Sequence, residues 1–258
     1  MDYEGFKREI LKMSDIDLSL YKEKQMKRRI DSLIRKNGYV RYDEYVQALK
    51  IDRDMYNEFI NYLTINVSEF YRNPEQWEVL KDQIIPMLLK RSPILKVWSS
   101  ACSTGDEPYT LAMVLSEHMP LSRIKIIASD IDAEALKKAK AGVYTEKSLE
   151  KLPEHYVRDF FTKDGSLYRV KDELKQCVEF KRHNLLKDPY PGGCDLIVCR
   201  NVLIYFTEEA KSQMYVKFNR ALKDQGVLFI GSTEQIIMST RYKLTPIKTF
   251  FYVKDGDI

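Results

Sequence analysis

The sequence predicts an α/β protein: a mainly parallel sheet preceded by an all-helical segment. Three observations carry this. From residue 93 onward, short apolar runs alternate with helical periodicity, the pattern of βα units with right-handed crossovers. The stretch Ile94–Thr110 begins as a strand, passes through the small residues Ser99 to Gly105, and turns acidic and helical. A buried strand, a small-residue loop and a helix N-terminus form the first unit of many nucleotide- and cofactor-binding folds. Residues 1–92, by contrast, contain only Gly5 and Gly38 as glycines and no proline before Pro74, and read as helix.

The 258 residues, 44% hydrophobic and 31% charged, suit one large or two modest soluble domains. The division read here is a helical domain over 1–73, a linker helix over 74–92, and a sheet domain over 93–258 with an inserted subdomain at about 143–176. No apolar run approaches the roughly 18 residues of a membrane span. The N-terminus lacks a signal-peptide pattern. Cys102, Cys177, Cys194 and Cys199 show no CxxC spacing, and His118, His155 and His183 lie far apart, which argues against a metal site. Cys194 and Cys199 flank an apolar run and read as reduced core thiols. A cytoplasmic location is expected.

In the first segment, Asp17 or Ser19 could cap a helix from about Leu20 to Lys36, ended by Asn37-Gly38. Met26, Ile30 and Leu33 share one face, and Lys24, Arg28 and Arg35 fall opposite. Residues 21–37 hold seven basic side chains against Glu23 and Asp31, a net +5, whereas the whole chain carries +4. The basic character is therefore concentrated on one helix. Such a run is often a solvated face; as a docking face for an acidic partner it would raise encounter rate and set orientation. No motif for nucleic acid accompanies it. Tyr45, Leu49, Phe59 and Leu63 are core candidates. Asn73-Pro74 starts a helix whose buried face is Trp77, Leu80, Ile84 and Leu88, and which Pro86 should kink or divide.

In the second segment the expected strands are Ile94–Ser99, Ile124–Ala128, Val178–Lys181, Leu196–Cys199 and Gly226–Ile230. The intervening helices are Asp106–His118, Ala133–Ala141 and one capped by Thr207 that runs to about Lys223. The tail, 242–253, reads as two strands around Thr245-Pro246, and a hairpin is expected at 163–166. Ligands in such sheets bind beyond the carboxyl ends of the strands. Here those ends are Ala101–Glu107, Asp130, Asn184-Leu185 and Asn201–Tyr205. Asp130 could accept hydrogen bonds from both hydroxyls of a ribose, or cap the helix at Ala133, a role Asp132 could equally fill. The GxGxxG fingerprint, the GxxxxGK[ST] loop and a GxSxG elbow are all absent. Adenosine held without phosphates fits S-adenosylmethionine better than NAD or ATP.

Five stretches then point further: Asn66–Arg72, Trp98–Tyr109, Ala128–Asp132, Asn184–Leu186 and Cys199–Phe206. In residues and in order they closely resemble the CheR family, the chemotaxis receptor glutamate methyltransferases, with Bacillus-like forms nearest. The resemblance implies a class I S-adenosylmethionine-dependent methyltransferase fold, Rossmann-like, with a small helical N-terminal domain. It implies S-adenosylmethionine as cofactor and S-adenosylhomocysteine as product. The implied substrates are glutamates on the cytoplasmic helical bundle of methyl-accepting chemotaxis receptors, with no nucleic acid, no membrane insertion and a monomeric enzyme. Carried over by motif, Asn66, Ser68 and Arg72 resemble the positions that reach the cofactor's methionine end. Glu107 resembles the contact at the acidic end of the loop beginning at Ala101, and Asp130 the ribose-binding acid. Asn184, Leu185, Asn201 and Val202 resemble the adenine- and methionine-side contacts, and Arg72 and Tyr205 the positions that handle the substrate carboxylate. Lys24, Arg28 and Arg35 would then face an acidic receptor. Many relatives have two glutamates where this chain has Asp106-Glu107, so the contact is assigned to Glu107. The turn at Lys163–Tyr168 is shorter than in relatives whose insert grips a C-terminal receptor peptide, which implies independence from such a tether. Two other readings stay open: a methyltransferase acting on RNA or a small molecule, and a non-catalytic cofactor-sensing docking module.

Overall fold

The computed structural model describes all residues from Met1 to Ile258. It forms two compact units, one comprising Met1–Asn66 with Leu203–Gln213 and the other Val67–Val202 with Met214–Ile258.

The first unit is built on helices α1 (Tyr3–Ser14), α2 (Glu23–Lys36), α3 (Tyr42–Ile51) and α4 (Arg53–Thr64). Their apolar faces bury Phe6, Ile10, Met26, Ile30, Leu33, Tyr45, Leu49, Phe59 and Leu63. Helix α2 starts later than its periodicity suggests. Asp17 instead caps a single 3-10 turn, Leu18–Leu20. The next backbone groups are taken by residues 205–207. Lys22 N–H donates to the Tyr205 carbonyl at 2.9 Å, and Thr207 N–H to the Leu20 carbonyl at 2.9 Å. Tyr21 and Phe206 form an antiparallel bridge. A helix through Leu20–Lys22 would forfeit these bonds, so it resumes only at Glu23. Gly38, at φ +82°, ends α2 as the Asn-Gly pair suggests.

The second unit opens on a helix in three parts: α5 (Pro74–Val79), a π segment (Leu80–Ile84) and α6 (Ile85–Leu89). The break expected of Pro86 takes the form of this widened turn, in which Ile85 N–H reaches back to the Leu80 carbonyl. Trp77, Leu80, Ile84 and Leu88 are buried, as their spacing predicts.

The strands are β1 (Val97–Ser99), β2 (Ile126–Asp130), β3 (Val143–Thr145), β4 (Phe161–Asp164), β5 (Leu167–Val170), β6 (Val178–Arg182), β7 (Cys194–Cys199), β8 (Leu222–Ile230), β9 (Leu244–Lys248) and β10 (Phe251–Lys254). Seven make one sheet in the order β6-β2-β1-β7-β8-β10-β9. Strands β6, β2, β1, β7 and β8 are parallel, and β10 runs antiparallel to both β8 and β9. The order reverses between β1 and β7, which opens a crevice at their carboxyl ends. The helices that follow the strands are α7 (Asp106–Ser116), α8 (Ala133–Ala141) and, after β7, α11 (Glu208–Ala221). Between β3 and β6 lie α9 (Glu154–Phe160) and α10 (Asp172–Lys175), with β3, β5 and β4 forming a small antiparallel sheet. Gly165 turns the β4–β5 hairpin with φ +60°.

The tail differs from expectation in one respect. Pro246 is not the turn but lies inside β9, opposite Tyr252, and the reversal falls at Thr249-Phe250, where Phe250 takes φ +69°. Strand β9 is the sheet edge, where a missing N–H leaves no ladder bond unmade. All four cysteines are buried free thiols.

Candidate functional site

The loop after β1 owes its shape to small residues. Ser103 adopts φ +44° and Gly105 φ +95°. A Cβ on Gly105 would lie 2.9 Å from both the Ala139 Cβ and the Tyr144 hydroxyl, so only glycine lets this turn seat against α8. Cys102 N–H donates to the Ser129 carbonyl at 2.9 Å, which ties the loop to the end of β2. Ala101 stays partly exposed at its crest.

Asp130 ends β2 and is almost fully buried. Its two oxygens accept the backbone N–H groups of Ser103 at 2.8 Å and Asp132 at 3.0 Å. The helix-capping alternative falls away, because Asp132 caps α8 by accepting from Glu134 N–H and Ala135 N–H. Burial pushes the Asp130 carboxyl up to about 6, against the pull of those backbone donors. With Ile131 N–H as a third backbone donor, one of the roughly four acceptor sites of a carboxylate is left over.

Glu107 sits in the first turn of α7. One oxygen accepts the Ser99 hydroxyl at 2.8 Å, and the other lies 3.9 Å from Arg200 Nη1. Burial raises its pKa, opposed chiefly by the charge of Arg200. Asp106, its neighbour, is engaged elsewhere: it accepts the Thr104 hydroxyl at 2.6 Å and a hydrogen bond from the Ser68 side chain. Ser68 therefore meets Asp106, a pairing that its motif position gave no sign of.

Arg72 lies on the connection before α5, half-buried, with Nη1 3.4 Å from the Val67 carbonyl. Its carbonyl accepts from Arg200 Nη2 at 2.7 Å and from Trp77 Nε1 at 3.0 Å. Past β7, Asn201 takes φ +59°, and its N–H donates to Glu234 at 2.9 Å. The same Glu234 oxygen accepts Gly231 N–H at 2.8 Å. Asn184 is held by Asp188 through its N–H at 2.8 Å, and its own side chain accepts from Leu186 N–H at 3.0 Å. The Leu185 carbonyl accepts the Tyr190 hydroxyl at 2.9 Å, and Val202 is half-buried.

The helical unit holds the remaining expected positions. The Asn66 amide donates to Asn61 at 2.9 Å and Thr64 at 3.1 Å. Tyr205 lines a cavity of about 180 Å³ with Lys22, Gln25, Met26, Arg28, Arg29 and Ile65. Lys24, Arg28 and Arg35 are exposed along α2. The hydrogen bonds thus join Ser68, Arg72, Glu107 and Asp130 to one set of strand-end loops in the sheet unit, whereas Asn66 and Tyr205 belong to the helical unit. Arg200 and Glu234 were missed by sequence reasoning. A charged residue in a loop gives no sign in periodicity that it will be buried.

Residues 66–251 match the model of the CheR methyltransferase SAM binding domain, and residues 1–64 that of the CheR methyltransferase all-alpha domain. The chain belongs to the CheR methyltransferase family. It is 46% identical over 254 residues to a chemotaxis protein methyltransferase of Listeria innocua, covering 98% of this chain and 97% of that one. A chemotaxis protein methyltransferase of Escherichia coli is 35% identical over 235 residues, covering 87% of this chain and 81% of the other.

This CheR-family chain is therefore an S-adenosylmethionine-dependent methyltransferase with the expected class I fold. The loop geometry fits that cofactor. The partly exposed residues of the β1 loop, Ala101, Ser103 and Thr104, are small, and the Asp130 carboxylate keeps an acceptor site beyond the Ser103, Asp132 and Ile131 N–H groups. None of the helices is long and apolar enough to cross a membrane.

Proposed function

We propose that this CheR-family enzyme acts in the cytoplasm on the helical bundle of chemotaxis receptors. There it esterifies glutamate side chains, and the glutamyl methyl esters serve sensory adaptation. The observation that carries this reading is the match along nearly the whole chain to a chemotaxis protein methyltransferase.

When bound, S-adenosylmethionine supplies an electrophilic methyl group on a sulfonium. The chain's own residues have three tasks. The first is to hold the cofactor: Asp130 accepts the ribose hydroxyls, Glu107 closes the acidic end of the loop beside Ala101, and Asn184, Leu185, Asn201 and Val202 border the adenine and methionine portions. Asn66, Ser68 and Arg72 reach the methionine end. The second task is to align the nucleophile. Arg72 would hold one glutamate oxygen through its donor fork and leave the other free to take the methyl group, Tyr205 would support the nucleophile or the sulfonium, and the electron pair of the broken S–CH3 bond would leave with S-adenosylhomocysteine. A single contact serves better than a bidentate clamp, which would dull the nucleophile. The third task is partial desolvation, which together with alignment accounts for several kcal/mol of barrier. No general base is needed, because a glutamate with a reference pKa of about 4.3 is already ionised near neutral pH.

The test is transfer of label from methyl-labelled S-adenosylmethionine to receptor-containing membranes, followed by alkali. Glutamyl methyl esters release methanol in base, whereas N-methyl and ribose O-methyl groups do not. Base-labile label in the receptor band is expected. Unlabelled receptor would sink the proposal, and base-stable label in added RNA would favour the RNA reading.

A further inference from the structure

The backbone on both sides of Arg72 is left-handed. Tyr71 has φ +51° and Asn73 φ +59°. This conformation is disfavoured for residues with a Cβ, and an aromatic residue tolerates it worse than Asn does. Two such residues flanking a third persist only where their surroundings over-determine the turn.

The surroundings here centre on Arg200. Its Nη2 donates to the Arg72 carbonyl at 2.7 Å, to Gln76 Oε1 at 3.0 Å and to Asn73 Oδ1 at 3.3 Å. The guanidinium carbon lies 5.1 Å from the Trp77 ring centroid and 4.8 Å from that of Phe229. The Arg200 side chain is only 2% exposed, its Nε has no partner, and its sole ion pair is the 3.9 Å approach to Glu107. The arrangement is a poor one for stability alone. An apolar side chain between Trp77 and Phe229 would avoid the desolvation of a buried, incompletely bonded charge. What an apolar side chain could not do is hold the Arg72 carbonyl and the Asn73 side chain while pointing at Glu107.

We propose that Arg200 is a positioning residue for the methyl transfer: it fixes the Tyr71–Asn73 turn from which Arg72 is presented and registers that turn against Glu107. This rests on the assignment of Arg72 to the substrate carboxylate.

A double-mutant cycle tests it, using Arg72→Ala, Arg200→Met and the two combined, assayed as base-labile label in receptor membranes at saturating cofactor. Arg200→Met is expected to lower kcat about tenfold and to change the KM for S-adenosylmethionine less than about threefold. Combined with Arg72→Ala, it should slow the enzyme by no more than about a further twofold. Arg200→Lys, which keeps the charge but not the fork, should recover part of the loss. Hydrogen exchange should speed up in the peptide containing Tyr71–Gln76 and stay slow in β7 and β8. If Arg200→Met does not fold, the same cycle is run with Arg200→Lys.

Losses that multiply in the combined variant overturn the proposal, as does a loss confined to the cofactor KM or exchange that rises throughout the sheet. Near-normal turnover of Arg72→Ala overturns the Arg72 assignment and this proposal with it. A slow Arg72→Ala with multiplying losses overturns this proposal alone.

Discussion

In the helical unit, Lys24, Arg28 and Arg35 stand exposed along α2, whereas in the sheet unit Arg200 is buried between two aromatic rings and holds the carbonyl of another arginine. The side-chain chemistry is the same and the physics is not. An exposed cation keeps its hydration, is screened over about 8–10 Å at ordinary salt, and acts mainly on encounter. A buried one has lost its hydration and acts only at contact distance, where salt does not reach it. The comparison divides the enzyme's work. Recognition of an acidic surface should be salt-sensitive and lie on the helical unit. The alignment and cofactor binding proposed for Arg72, Glu107 and Asp130 should be salt-insensitive and lie in the sheet unit.

The largest effect expected belongs to Arg72. Removing the charge-assisted contact proposed between Arg72 and the reacting carboxylate should lower turnover by more than about tenfold, and on the order of a hundredfold where the contact is strongest in the transition state. Arg72→Ala is to be measured at saturating cofactor, with binding checked by calorimetry, at both low and high salt. Equal losses at the two salt concentrations are expected. A loss that shrinks at high salt would move Arg72 to the encounter side of the comparison.

Asp130 should come next, and it brings a pH dependence. Its carboxyl sits at about 6 in the folded chain, raised by burial. The ionised form is the better acceptor for ribose hydroxyls. Affinity for S-adenosylhomocysteine should therefore be flat above about pH 7 and fall as the pH drops through 6. Asp130→Asn should weaken binding by about tenfold at pH 8 and abolish the dependence. Fold stability runs the other way. A raised folded pKa means that the ionised group costs stability at neutral pH, and that protonation relieves this cost between about 6 and the unfolded value near 4. Binding titrations and thermal melts from pH 5 to 8 would show both slopes. If the affinity of the wild-type chain does not change over that range, Asp130 is not the ribose acceptor.

Much of this architecture was legible in the residues, for identifiable reasons. The alternation after residue 93, the helix at Ala133–Ala141 and the face Trp77, Leu80, Ile84 and Leu88 follow from local pattern, and the structure keeps them. What was not legible depends on partners distant in sequence. Helix α2 starts at Glu23 because residues 205–207 claim the backbone before it. Pro246 marks an edge strand and not a turn, which only the strand order reveals. The contest between Asp130 and Asp132 for the cap could be decided only by seeing which carboxylate meets Glu134 and Ala135 N–H. Arg200 gives no sign of its burial, because sequence does not encode which cation an aromatic pair will enclose.

The smallest expected effect tests the exposed side of the comparison. Lys24, Arg28 and Arg35 each contribute little as individual ion pairs, since exposed pairs give about 0.2–1 kcal/mol. Their sum acts on the long-range field, so reversing all three to Glu should matter more to encounter than to the bound state. At low ionic strength the triple variant should lose several-fold in kcat/KM for receptor-containing membranes, about fivefold as an order of magnitude. With the Debye length cut toward 3 Å near 1 M salt, most of that difference should vanish, because screening removes the wild type's advantage as well as the variant's penalty. Affinity for S-adenosylhomocysteine should not change, because these side chains lie on the solvent face of α2, opposite the buried Met26, Ile30 and Leu33. A matching fall in cofactor affinity, or a loss that persists at high salt, would show that the stripe supports the fold and does not steer a partner. In that event the division between a salt-sensitive and a salt-insensitive unit would have to be abandoned.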